Sequence, residues 1–206
     1  MNKQTVLIFD FDGTIIDSEQ KIFEILIRMA PNFGIKVKDS EINKLKLLPA
    51  RKLIKELKVP IYKLPFIMSR LRREVSEAII NLKPIKGIPE VLKALHKRGH
   101  WMIIVTSNSE ENTKLFLKNN KLDYFESIKG GGSLFGKDKE LKEIINDKKL
   151  LPEKIIYVGD EARDIESARK VGIKIISVSW GFNTKGALEK QNPDWLVTKP
   201  EELLLI

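Results

Sequence analysis

The feature that most constrains the fold is a set of short apolar runs with no polar face. Val6 to Phe9 (VLIF), the run from Trp101 (WMIIVTSN), the run from Lys154 (KIIYVGD) and the run from Ile173 (IKIISVS) are rich in β-branched residues and carry few polar interruptions. Side chains on a strand alternate between its two faces, so a run that is apolar at every position needs cover on both. DWLVTK, from Asp194, is a weaker last run of the same kind. Helical patterns fill the intervals at Gly87 to Arg98, Ser109 to Asn119, Lys137 to Asn146 and Glu161 to Val171. Gly99 and Gly172 stand where helices end before the next strand. This alternation predicts an α/β fold, a Rossmann-like parallel sheet with helices on both faces and right-handed connections.

One region breaks the rhythm. Ser18 to Met29, Ser40 to Leu48, Ala50 to Leu57 and Leu64 to Leu82 are helical in pattern, are punctuated by Pro31, Pro49, Pro60 and Pro65, and have no strand between them. The spacing predicts an inserted helical domain at residues 17–82, with residues 1–16 and 83–206 forming the α/β core and KPIKG, from Lys83, as the return hinge. The chain is formally +9, yet Thr14 to Lys83 holds 15 Lys and Arg against 8 Asp and Glu. The basic excess is therefore regional, and Arg28, Arg51, Arg70, Arg72 and Arg73 contribute to it. Such a surface fits either a substrate with a second anionic group or a solvated helix face.

Absent residue types narrow the chemistry. With no cysteine there is no disulfide, thiolate nucleophile or sulfur-based zinc site, and His96 and His100 are too few for a histidine-based metal centre. The amino terminus has no long apolar run, so a cytoplasmic protein with no membrane partner is expected. The glycines at 130–132 and Gly136-Lys137 do not make a phosphate loop of the GxxxxGK[ST] kind, because Asp138 follows the lysine. No GxGxxG dinucleotide fingerprint is present.

Acids gather where the runs end. FDFDGT places Asp10 and Asp12 two apart, and on a continued strand both would share one face and repel. Gly13 signals that the strand stops there. Parallel sheets take ligands beyond the carboxyl ends of their strands, so a metal or anion-processing site is expected at this point. The second run ends on Thr106, Ser107 and Asn108, whose hydroxyls, amide and following N–H groups suit phosphate, although capping of the next helix competes for Ser107. A later run ends VGDEARD, setting Asp160 at a helix mouth and Asp164 about one turn in. Capping would explain Asp160 alone and leave Asp164 incidental. Carboxylates on separate strands favour Mg2+, a hard ion that takes oxygen ligands. Lys137, with Lys139 as its rival, is placed to neutralise phosphate and carboxylate together.

In order, DFDGT, VTSN, Lys137 and GDEARD resemble the four motifs of the haloacid dehalogenase-like superfamily, and the helical insertion is similar to the cap of its phosphoglycolate phosphatase-like and β-phosphoglucomutase-like members. The resemblance implies Asp10 as nucleophile and Asp12 as general acid and base. It also implies Mg2+ held by Asp10, the Asp12 backbone carbonyl and Asp160, with Asp164 close by directly or through water. Thr106, Ser107, Asn108 and Lys137 would bind the phosphoryl group. The expected activity is Mg2+-dependent hydrolysis of a small phosphorylated metabolite. A sugar phosphomutase, a polynucleotide end phosphatase and an inactive basic nucleic-acid-binding protein are the alternatives, although no RNA-binding motif is evident.

Overall fold

The computed structural model of the chain describes residues 5–46, 48, 53, 55–131 and 137–205. Six strands form one sheet: β1 (Val6–Phe9), β2 (Trp101–Val105), β3 (Ser127–Lys129), β4 (Ile155–Gly159), β5 (Lys174–Val178) and β6 (Trp195–Val197). Their order is β3-β2-β1-β4-β5-β6, and neighbouring strands are parallel throughout. The first strand in sequence is thus central in space, as its unbroken apolar run requires.

Strand alternation sends the core to both faces. Val6 and Ile8 pack with Ile103, Val105, Ile155, Tyr157 and Ile175 on one face, against Leu141 and Ile144 of α6 (Asp138–Asp147) and Ile165 and Ala168 of α7 (Ala162–Val171). Leu7, Phe9, Ile156, Val158 and Ile176 point the other way, toward Leu95 of α4 (Ile88–Lys97) and Leu203. Burial of each such side chain contributes about 1.5–3 kcal/mol, so a polar residue on either face of β1 would be costly. α5 (Glu110–Asn119) joins this second layer through Phe116, whose ring meets Phe11 edge-on at 5.3 Å. A short α8 (Lys185–Glu189) links β5 to β6.

By contact the chain forms two compact units: one runs up to Asp17 and resumes at Leu82, and the other is Ser18–Asn81. In the second unit, α1 (Glu19–Met29) and α3 (Leu64–Ala78) pack along Ile25, Met29, Ile67, Leu71 and Val75, the last three at the four-residue spacing that keeps one helix face apolar. α2 (Asp39–Lys46) lies between them in sequence. The helix expected over Ala50 to Leu57 falls largely outside the described residues, as do Pro49 and Arg51. Of the expected basic surface, Arg28, Arg70, Arg72 and Arg73 are all exposed, and Arg28 and Arg70 both pair with Glu74. No helix among the described residues is long and apolar enough to cross a membrane.

Candidate active site

β1, β2 and β4 end side by side. Phe9 is in register with Ile104 and with Val158, so Asp10, Thr106 and Asp160 leave three adjacent strands on the same edge. Between β2 and β4 the strand order reverses about β1, which opens the crevice where such sheets bind ligands. The electrostatic problem in FDFDGT is resolved by a turn. Gly13 has φ of 76°, a left-handed conformation that a side chain disfavours, and Ile15 and Ile16 both donate to the Phe11 carbonyl at 2.9 and 3.0 Å. Asp10 is consequently buried while Asp12 is half-buried, and the two acids no longer share a strand face.

Lys137 enters this edge just before α6. Its side chain is 1% exposed, with Nζ 2.5 Å from Asp10 Oδ2 and 3.2 Å from Asp164 Oδ1. Lys139, the rival, is exposed. Lys137 is held from behind as well, because its backbone N–H donates to Ser167 Oγ at 2.9 Å. Asp164 Oδ1 also accepts from the Tyr157 hydroxyl at 3.1 Å, and Asp164 Oδ2 accepts from the Glu161 N–H at 3.0 Å. Asp160 Oδ1 accepts from Thr14 Oγ1 at 2.8 Å and its Oδ2 from the Phe182 N–H at 2.7 Å.

The competing possibility, that Asp160 serves as the helix cap, is not what the structure shows. The helix begins one residue later than Asp160 would need to cap it: Glu161 is the N-cap, and Asp164, at the third helical position, completes a capping box with it. Asp160 is left pointing into the site and Asp164 serves both the helix and the cluster. Thr106, Ser107 and Asn108 form a tight loop at the neighbouring strand end. Thr106 Oγ1 accepts from the Asn108 N–H at 3.0 Å, and Asn108 Oδ1 accepts from the Ser109 N–H at 2.9 Å. Ser109, not Ser107, caps α5 by accepting from the Asn112 N–H, and Ser107 is half-buried.

Thr14, Tyr157, Ser167 and the backbone of Phe182 belong to the site, and residue pattern alone does not single them out. Thr14 closes FDFDGT, directly beside Gly13. Tyr157 faces the site only because β4 turns that side of the strand toward α7.

The cluster suits a divalent cation. Asp10, Asp160 and Asp164 are buried and each offers one carboxylate oxygen, all within 4.8 Å of one another. Oxygen-only donors fit a hard ion. Of these three carboxylates, Asp10 and Asp164 contact Lys137, and the nearby Arg163 pairs with Glu161. Burial pushes the Asp10 carboxyl up to about 7 despite the opposing pull of Lys137. Burial also raises Asp160 well above its ordinary value, with Asp10 and Glu161 adding repulsion. Burial pulls the Lys137 ammonium down, but Asp10 and Asp164 outweigh it and its proton is held more tightly than usual. An added cation would lower both carboxyls.

A pH dependence follows. The folded chain keeps the Asp10 proton up to about pH 7, whereas a free carboxyl releases it near 3.8. Between those values the unfolded chain binds fewer protons, so this contribution is whole below the lower value and lost as pH rises through the upper one. Urea unfolding in EDTA should therefore show stability falling across this range, and excess Mg2+ should flatten the fall. Parallel curves with and without Mg2+ would contradict the cation site.

Comparison with known proteins agrees with this geometry. The family model for haloacid dehalogenase-like hydrolases matches residues 7–178. A phosphoglycolate phosphatase of Synechococcus elongatus is 30% identical over 200 residues, covering 96% of this chain and 94% of that protein. A pyrophosphatase, PpaX, of Bacillus anthracis is 30% identical over 57% of the chain and 56% of its own length. A haloacid dehalogenase-like hydrolase of Streptococcus pneumoniae superposes with a TM-score of 0.81 at 23% identity, covering 100% of this chain and 99% of that one.

The buried acids at the switch point of this parallel sheet, together with these matches, support a hydrolase acting on phosphate esters. The chain belongs to the haloacid dehalogenase-like hydrolase family, in its phosphoglycolate phosphatase-like branch.

Proposed function

We propose that the chain is a Mg2+-dependent phosphatase in which Asp10 is the nucleophile and Asp12 the general acid and base, acting on a small phosphorylated metabolite. The observation that carries this reading is Asp10 itself. It is a buried carboxylate at the end of the central strand, 2.5 Å from Lys137 and within 4.8 Å of Asp160 and Asp164. Asp10 attacks phosphorus, forming an aspartyl-phosphate, while Asp12 gives its proton to the departing oxygen. Asp12 then takes a proton from the water that cleaves the acyl phosphate and regenerates Asp10. Its half-buried position suits a group that must exchange protons with solvent.

Lys137 and the Thr106 hydroxyl stabilise the phosphoryl oxygens, together with Ser107, Asn108 and the N–H groups of their loop. Mg2+, held by Asp10, the Asp12 carbonyl and Asp160, with Asp164 directly or through water, supplies the positive charge that lets an anionic carboxylate approach an anionic phosphate. The helical unit, residues 17–82 in this reading, acts as a cap that selects the leaving group. Its basic surplus favours a substrate with a second acidic group, and phosphoglycolate is the first to try. The absence of cysteine and a metabolite substrate fit a cytoplasmic enzyme.

The test is phosphate release from phosphoglycolate, sugar phosphates, nucleotides and pyrophosphate, with Mg2+ and with EDTA. We expect release from at least one ester, abolished by EDTA. Release insensitive to EDTA, or conversion of a sugar phosphate to an isomer without release, would replace this reading. Asp12→Asn should lower kcat by about 100-fold or more, the usual scale for a lost general acid, with little change in thermal stability. An unaltered kcat would remove Asp12 from proton transfer.

A further inference from the structure

The reaction leaves one part of the site without a role. The loop after β5, Ser179 to Asn183 (SWGFN), contributes no acid, base or cation, yet it is bound to both acidic loops. The Phe182 N–H donates to Asp160 Oδ2 at 2.7 Å, and the indole N–H of Trp180 donates to the Thr14 carbonyl at 3.3 Å. Asn183, buried, accepts from the Ala162 N–H at 2.9 Å through its Oδ1. Gly181 is pressed so closely into this junction that a Cβ on it would collide with Asp160 Oδ2 and with the Gly13 carbonyl oxygen. A Cβ on Gly13 would collide with the same Asp160 oxygen and come within 2.6 Å of the Phe182 ring.

Asp160 is thus clamped. One oxygen is fixed by Thr14 Oγ1 and the other by the Phe182 N–H, and two glycines wall it in. A carboxylate oxygen has two lone-pair directions, so each hydrogen bond leaves one free while fixing the plane in which it points. A carboxylate held in that way loses little rotational freedom when it takes up a cation, and partners of this kind commonly govern metal affinity.

We propose that the Ser179 to Asn183 loop is a positioning element that sets the affinity of the site for Mg2+ by holding Asp160 in its ligating orientation. This rests on Asp160 being a metal ligand, as in the function proposed above. Trp180 acts at one remove: by holding the Thr14 carbonyl it keeps the Thr14 hydroxyl aligned on Asp160. Gly181 acts by the closeness it permits, which brings the Phe182 N–H within reach.

Calorimetric titration of the intact chain with Mg2+ tests this, for the unaltered protein and for Trp180→Phe, Gly181→Ala, Thr14→Val and Thr14→Ser, with thermal melts in EDTA alongside. Trp180→Phe keeps an aromatic side chain, though a smaller one, and loses the indole donor, and it should weaken Mg2+ binding roughly fivefold, the scale of one hydrogen bond. Gly181→Ala and Thr14→Val should weaken it about 10- to 100-fold. Thr14→Ser, which keeps the hydroxyl, should restore binding to within about threefold of the unaltered protein. A loop that only packs would lower the melting temperature in EDTA and leave Mg2+ affinity alone.

The proposal is overturned if Trp180→Phe and Gly181→Ala bind Mg2+ as the unaltered protein does. Should Gly181→Ala fail to fold, Trp180→Phe decides. If the unaltered protein binds no Mg2+, the metal reading itself falls and this one with it, so the two failures are told apart by the first titration.

Discussion

Asp10→Asn is expected to lower kcat by at least about 10^4-fold, as loss of a covalent nucleophile does, while the chain stays folded. Asparagine has the shape of aspartate, and its amide oxygen can still accept from the Phe11 N–H, which meets Asp10 Oδ1 at 2.5 Å in the native chain. Lys137 loses one partner but keeps Asp164 at 3.2 Å, so no buried charge is left alone. What disappears is the anionic oxygen that attacks phosphorus in the proposed mechanism. Steady-state turnover, a melting curve and a search for acid-stable phosphate on the protein check this together. Turnover close to that of the unaltered enzyme would remove Asp10 from the nucleophilic role, whereas a collapsed melt would show that its charge is needed for folding.

Lys137→Met should have the largest effect on stability. The side chain is 1% exposed and is the cation that both Asp10 and Asp164 contact, so its removal takes the adjacent counter-charge from two buried carboxylates. Breaking a buried pair in this way costs about 3–5 kcal/mol. The cost should depend on pH. Without the ammonium the Asp10 carboxyl, already held up at about 7 by burial, rises further, and at low pH it simply keeps its proton. Denaturant midpoints should therefore separate from those of the unaltered protein more widely near pH 8 than near pH 5. A difference that does not change with pH would mean that Lys137 serves chiefly by packing its methylene stem, including against Tyr157, whose ring centroid lies 5.8 Å from Nζ.

The fold was legible where burial is complete. VLIF, MIIV and IIYV are apolar at nearly every position because the strands they form are central and covered on both faces, and such runs can be little else. β3 carries no such mark: Ser127, Ile128 and Lys129 are all half-buried at the sheet's edge, and three residues are too few to show a period. The acidic cluster was legible where carboxylates stand at strand ends, as with Asp10 and Asp160. It was harder to see where a residue acts through geometry. Lys137 and Lys139 are indistinguishable by spacing, and only packing buries one and exposes the other. Asp164 looked dispensable to the helix, yet helix start and cluster share its carboxylate. Nothing in the residue types of SWGF marks its place beside Asp160, because the contact is made by backbone and by the absence of a side chain.

The two chain crossings between the units are stitched together on the sheet side: the Asp17 N–H donates to the Lys83 carbonyl at 3.0 Å and the Ile85 N–H to the Ile15 carbonyl at 2.9 Å, around an antiparallel bridge between Ile16 and Pro84. An insertion whose ends already touch costs its host little loop-closure entropy, whatever its length. The sheet domain therefore holds the two ends of the insertion together by itself, a few residues beyond Asp10, so that the length of what lies between them places little demand on the sheet. Under the function proposed above, such a join would let the segment between Asp17 and Lys83 vary while the acids at the strand ends stay in place.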